Sequence, residues 1–299
     1  MNIIEALNSM DSMIEYISSN SVESIVLEMI TRFNLNITEL LRHPMGGYNK
    51  DKSSGSYFYC IKDLKNNLNE YKWVYDNLDD KKSKETFLNL MRYRLTTDNN
   101  FITEAYDDKY PQYFDKDIIK CTEDEVYLDC GSFTGDTIEA YISNYGKYKM
   151  IYGYEPEDAN YNKCISNIKK YENVNVRKKG VSTKSNRVYY QVDGGASTIS
   201  TNETGSYIDV VSLDEDVIEN VTFIKMDVEC EEINALLGCQ KHIKEDKPKL
   251  AIAIYHVVSD IWEIPKLIKL INPNYKLYIR HYRYDVAWET IVYAVDECR

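Results

Sequence analysis

Residues Val126–Thr137, VYLDCGSFTGDT, carry an apolar strand straight into a glycine-bearing turn and out again into the start of a helix. Many α/β folds bind a nucleoside at such a junction. A second apolar strand, Met150–Tyr154, ends in Glu155-Pro156, about 24 residues beyond Gly131. That is where such folds place a carboxylate that grips the ribose hydroxyls. Gly131 and Gly135 form G-x-x-x-G and lack the G-x-G-x-x-G whose middle glycine lets the backbone approach a pyrophosphate. A nucleoside cofactor without a pyrophosphate therefore fits better, and S-adenosylmethionine is the common one. An NAD-dependent or nucleotide-sugar enzyme is disfavoured on the same spacing.

Outward from this junction, strands and helices alternate. Strands are predicted over Val126–Cys130, Met150–Tyr154, Val174–Lys178, Val221–Met226, Leu250–Tyr255, Tyr275–Arg280 and Ile291–Val295, with an elaborated stretch before the fourth. Such alternation calls for a parallel sheet with right-handed crossovers. The last two strands are joined by about ten residues, too few for a helical crossover, so they should pair antiparallel. The expected architecture is α/β, a mostly parallel seven-stranded sheet with an antiparallel last strand, preceded by an α-helical N-terminal region.

The first hundred residues read as helices. Ile3, Leu7, Met10, Ile14 and Ile17 form one apolar stripe, and Val22, Ile25, Val26, Met29, Ile30 and Phe33 form another. Leu64, Leu68, Tyr71, Tyr75 and Leu78 repeat the spacing, and Phe87, Leu88, Met91 and Leu95 follow. Residues 43–56, rich in Gly and Ser, read as a loop, either a connector or a lid. Thr96 to Glu125 reads as an irregular bridge. The division expected is residues 1–100, helical, and residues 101–299, catalytic with a lead-in segment. All cofactor motifs lie after Val126, so the helical region is expected to shape the acceptor site or to offer a dimerisation surface, and a homodimer is compatible with its stripes.

The net charge of -12 argues against a nucleic-acid partner, since such binding draws on Lys and Arg neutralising phosphates. Seven cysteines, odd in number and without a C-x-x-C pair, suit a reducing compartment. Neither a signal peptide nor a membrane-length apolar run is visible, so a cytoplasmic protein without a membrane partner is expected. The 27 tyrosines fit a compositional bias, or in part the amphipathic walls of a polar cleft.

Three later segments join the opening turn: Phe223–Glu232 (FIKMDVECEE), Pro248–His256 (PKLAIAIYH), and the pair Leu277–His281 (LYIRH) with Glu289–Ala294 (ETIVYA). In this order the four blocks resemble the FkbM-type methyltransferases, a branch of the S-adenosylmethionine-dependent class I (Rossmann-like) fold. The resemblance spans roughly Phe114 to Val295. One departure is Cys230, which stands where the family pattern D-x-E-G-x-E has glycine.

The resemblance implies that the turn Gly131, Ser132, Phe133, Gly135, Asp136 and Thr137 cradles the methionine part. It implies that Glu155 with Pro156 holds the ribose and that Gly180 and Val181 border the adenine. Asp129 holds the methionine amine or serves as a turn carboxylate. Asp227 leads a cluster with Glu229 and Glu231 at a strand end, where a sulfonium could offset the cost of burying acid. His256, one residue past a strand, is the candidate base and Asp227 the second catalytic candidate. A metal held by Asp227, Glu229 and His256 is chemically allowed but singled out by no spacing, so none is expected. His242, flanked by lysine, reads as solvated surface. The implied activity is O-methylation of a sugar or glycan-type hydroxyl on a small molecule or on a glycan carried by a protein. N-methylation of an amine and a catalytically silent binding module are the alternatives.

Overall fold

The computed structural model describes residues 1–42, 45, 48, 56–193, 196–200 and 206–297. Most of the loop expected over 43–56 lies outside the described residues. Helices come first: α1 (Ile3–Ala6), α2 (Met10–Ser19), α3 (Val22–Phe33), α4 (Ile37–Arg42), α5 (Tyr57–Asn66), α6 (Leu68–Asn77), α7 (Lys81–Thr96) and α8 (Asn99–Ala105). Then follow β1 (Val126–Cys130), α9 (Asp136–Tyr145), β2 (Met150–Tyr154), α10 (Asp158–Ile168), β3 (Val174–Arg177), β4 (Gly180–Val181), β5 (Asn186–Asp193), β6 (Ala196–Ser200) and β7 (Ser206–Val211). The chain continues with α11 (Leu213–Asp216), β8 (Phe223–Met226), α12 (Glu232–Leu237), α13 (Gln240–Glu245), β9 (Lys249–Ala253), α14 (Asp260–Ile271), β10 (Lys276–His281) and β11 (Thr290–Val295).

Seven strands form one sheet in the order β10-β11-β9-β8-β1-β2-β3. The pairs β1 with β2, β2 with β3, β1 with β8 and β8 with β9 are parallel, and the last strands run antiparallel, as the sequence led us to expect. From β1 the chain first moves outward through β2 to β3 and later returns to the other side of β1 as β8. That reversal makes a topological switch point, and ligands of open α/β sheets bind outside the carboxyl ends of the strands at such a point. The elaborated stretch is a second sheet, with order β4-β7-β5-β6.

The chain divides into two compact units. The first comprises Met1–Gln112, Ala253–Leu270 and Tyr275–Ala294. Serine and aspartate caps start its helices: Ser9, Ser21, Ser56 and Asp80 each accept a backbone N–H from the following turn. The third apolar stripe is split at Asn67 into α5 and α6, because the Asn67 amide folds back on the Asp63 carbonyl and carboxylate. The bridge expected from Thr96 is partly helical, as α7 runs to Thr96 and α8 follows. Within this unit Arg280 of β10 reaches Asp80 at 2.7 Å and Ser83 at 2.8 Å, and Arg94 of α7 donates to the Val258 carbonyl at 2.8 Å.

The second unit comprises Tyr113–Ile252, Ile271–Asn274 and Val295–Arg299. Its core is aromatic on one side of β1: the Tyr127 ring stacks on Tyr141 and Phe223, with centroids 4.7 and 4.8 Å apart, and Phe114 meets them edge-on. Several of the tyrosines thus build core. His242 is not surface, contrary to expectation. It is buried, with Nδ1 2.6 Å from Asp246 and Nε2 facing the Leu213 and Val217 carbonyls, partners that lysine-rich neighbours in sequence do not reveal.

Candidate active site

Every residue of β1 is buried, and its last carbonyls lead into a turn built by close backbone approach. Gly131 has φ 79°, and a Cβ there would lie 1.9 Å from the Asp227 carbonyl oxygen. Only glycine fits, on conformation and on space. Gly135, with φ 86°, starts α9 against Cys164 and Ile168 of α10. Ser132 is fully buried and wires the turn to β2: its N–H donates to the Tyr154 carbonyl, and its hydroxyl bonds the Asp129 carbonyl and the Tyr154 N–H. Ser132 therefore shapes the turn from within, while Phe133 and Asp136 are exposed.

Glu155 ends β2 and is 6% exposed. Its Oε2 accepts the Phe133 N–H and its Oε1 the Glu157 N–H, both at 2.9 Å. Burial pushes its pKa up, and the two backbone donors oppose that. A carboxylate offers about four acceptor sites, so two hydroxyls can still be taken. Pro156 follows, beside Gly180; Gly180 and the buried Val181 form β4. The structure thus brings the turn, Glu155 and Gly180 to neighbouring strand ends of one unit, an arrangement that fits a nucleoside with a short polar tail.

Asp129 is fully buried near the end of β1. Its Oδ2 accepts the Thr137 hydroxyl at 2.6 Å and its Oδ1 lies 3.2 Å from the Lys225 ammonium. Lys225 is the register partner of Asp129 across β1 and β8. Burial works against the charge on Lys225, but the Asp129 and Asp227 carboxylates outweigh it and hold its pKa above the ordinary lysine value. Burial likewise pushes Asp129 up, and Lys225 opposes it. The attraction of two such groups in contact keeps them an ion pair.

Asp227 follows β8 and is half-buried. Its Oδ2 accepts the Tyr113 hydroxyl at 2.6 Å, and the Tyr113 ring centroid is 5.1 Å from the Lys225 ammonium. Glu229 and Cys230 both take left-handed backbone, φ 52° and 73°. The position where the family pattern has glycine thus takes left-handed backbone with cysteine in it. The turn is closed by Glu232, buried, whose carboxylate accepts the Val228 N–H at 2.8 Å. His256 belongs to the first unit and is 5% exposed. Its carbonyl accepts the Tyr48 N–H at 2.5 Å and its ring lies 4.2 Å from that of Tyr255.

Lys225, Tyr113 and Glu232 escaped the sequence reading. A lysine inside FIKM looks like an interruption of an apolar strand. Its register partner Asp129 stands on a strand 96 residues earlier, a pairing that sequence spacing does not reveal.

Residues 129–286 match the methyltransferase FkbM domain, more than half of the chain, and the protein belongs to that family. The crystal structure of methyltransferase FkbM from Methylobacillus flagellatus is similar with a TM-score of 0.69 at 26% identity, over 79% of this chain and 62% of that one. The chain thus spans less than two thirds of that relative. An rRNA methylase from Streptococcus thermophilus gives a TM-score of 0.40 at 14% identity, over 68% and 95% of the two chains. Fibrillarin from Aeropyrum pernix, solved with natively bound S-adenosyl-L-methionine, gives 0.39 at 14%, over 60% and 71%. No curated protein matches the sequence. The family resemblance drawn from four motif blocks is correct, and so is the class I methyltransferase fold. S-adenosylmethionine is the cofactor of this class. Among the described residues no helix is long and apolar enough to cross a membrane.

Proposed function

We propose that this protein is an S-adenosylmethionine-dependent methyltransferase acting on a hydroxyl of a sugar or glycan-type acceptor. The observation that carries the reading is the Glu155 carboxylate, held by two backbone N–H groups beside the Gly131 turn at the switch point of the sheet. Family membership supports methyl transfer; the hydroxyl acceptor rests on the family resemblance alone.

The chemistry such a cofactor supplies is an electrophilic methyl group on a sulfonium sulfur, taken by in-line displacement. Glu155 binds the ribose hydroxyls, and the Gly131–Gly135 turn orients the methionine tail. Gly180 and Val181 border the base. Asp227, kept in place by the Tyr113 hydroxyl, positions the donor or acceptor. A hydroxyl acceptor must lose its proton, and His256 is proposed to take it, since imidazole titrates near neutral pH.

The test is methyl transfer from methyl-labelled S-adenosylmethionine into small-molecule and glycan fractions, followed by mass analysis of the labelled product. A methyl ether is expected. Label on an amine would turn the reading to N-methylation, and cofactor binding without any transfer would turn it to a silent binding module.

A further inference from the structure

The Lys225 ammonium has more partners than an ion pair needs. It sits in a strand whose other residues are apolar and buried, and is 1% exposed. Besides Asp129 it donates to the Gly131 carbonyl at 2.7 Å and approaches the Cys130 carbonyl at 3.3 Å. The Tyr113 ring lies over it, and the hydroxyl of that ring holds Asp227. Tyr113 itself has left-handed backbone, φ 69°, an uncommon conformation for a bulky residue that the surroundings must enforce.

A strut between β1 and β8 would need none of this, because the parallel ladder already joins those strands from Tyr127 to Cys130. The shortest contact of the ammonium goes to the turn, 2.7 Å to the Gly131 carbonyl against 3.2 Å to Asp129. The plane of the Gly131 peptide decides where the next N–H groups point, and among them Phe133 N–H is one of the two donors that fix Glu155. We propose that Lys225 is the positioning residue of the cofactor turn, its ammonium fixing the Gly131 carbonyl, with Asp129 serving to keep that ammonium charged and in place. Asp129 then acts on a ligand through Lys225. This rests on the function proposed above, and deepens it.

The experiment compares the full chain with Lys225→Met and with the double variant Lys225→Met, Asp129→Asn. Three quantities are read: thermal melting without ligand, amide hydrogen exchange of residues 131–135 without ligand, and S-adenosylmethionine affinity by calorimetry. Lys225→Met leaves a buried carboxylate unpaired and should melt lower. The double variant removes both charges and should regain most of that loss. If Lys225 positions the turn, exchange in the double variant stays faster than wild type and affinity stays weaker by roughly 10- to 150-fold, the worth of a charge-assisted hydrogen bond. A double variant with wild-type exchange and affinity overturns the proposal, and so does one without a cooperative melting transition, because the pair is then a folding element. Wild-type protein that binds no S-adenosylmethionine, while the double variant still exchanges faster, sinks the function proposed above and leaves the role of Lys225 in the turn standing.

Discussion

Glu155 is fixed before any ligand arrives, because the N–H groups of Phe133 and Glu157 each occupy one of its oxygens. Glu155→Ala should therefore remove the ribose grip without unfolding the strand end, and weaken S-adenosylmethionine binding by roughly 10- to 150-fold in calorimetry. Unchanged affinity in a folded variant would remove Glu155 from the site. Cys230 presents the opposite case, a side chain where the backbone asks for glycine. At φ 73° a non-glycine residue costs on the order of 1–2 kcal/mol, part of which glycine's greater freedom in the unfolded chain offsets. Cys230→Gly should raise stability by about 1 kcal/mol in denaturant unfolding, and a lower midpoint would mean that the thiol packs better than the strain suggests. Gly131 and Glu155 were legible in the sequence because each is tied to a strand end by a fixed spacing. Tyr113 and Lys225 were not, since their partners lie 114 and 96 residues away, at Asp227 and Asp129.

The strands carry two histidines with different fates. His256 lies just past β9 and His281 is the last residue of β10, fully buried with Nδ1 2.8 Å from the Thr290 hydroxyl. His256→Ala should lower kcat by roughly 10²–10⁴-fold in steady-state kinetics, the usual worth of a general base, with cofactor affinity nearly intact. Turnover near the wild-type rate would pass the proton to Asp227. Burial pushes the His281 pKa down from 6.5 to about 4. The unfolded chain then takes up a proton near pH 6.5 that the folded chain refuses until about pH 4. Stability from this residue is fully present above pH 6.5 and declines by about 1.4 kcal/mol per pH unit as pH falls through that window. Denaturant midpoints measured from pH 7.5 to 4.5 should show this slope in wild type and a shallower one in His281→Gln; equal slopes would mean another group titrates. The mostly parallel sheet follows from strand–helix alternation, and each predicted strand lies within two residues of its observed limits. The second sheet was not readable, because β4 has only two residues and β7 reads SYIDVV, without a helix between the strands to mark a unit.

The N-terminal helices read correctly as helices from their apolar stripes, but sequence periodicity says only that a face is covered, not by what. In the structure they share a compact unit with residues 253–270 and 275–294. The contacts are polar as well as apolar. Asp80 and Ser83 hold Arg280, which is 3% exposed; Asp63 accepts the Trp262 indole N–H; Arg94 donates to the Val258 carbonyl; and Glu70 pairs with Lys266. A chain beginning at Asn100 keeps every residue proposed to bind cofactor, so by motif content alone it should still bind. Physically it takes the Asp80 carboxylate and the Ser83 hydroxyl away from Arg280, although the Asp107 carboxylate stays 3.6 Å from its Nε. It also exposes the apolar surface of Leu277 and Ile279, both fully buried in the intact chain. We expect the fragment from Asn100 to aggregate or to lack a cooperative melting transition, while the full chain melts cooperatively and binds S-adenosylmethionine. The measurement is size-exclusion chromatography with a thermal melt of both chains. A monomeric fragment with a cooperative transition and wild-type affinity would mean that the helices are dispensable for the fold and act on the acceptor alone.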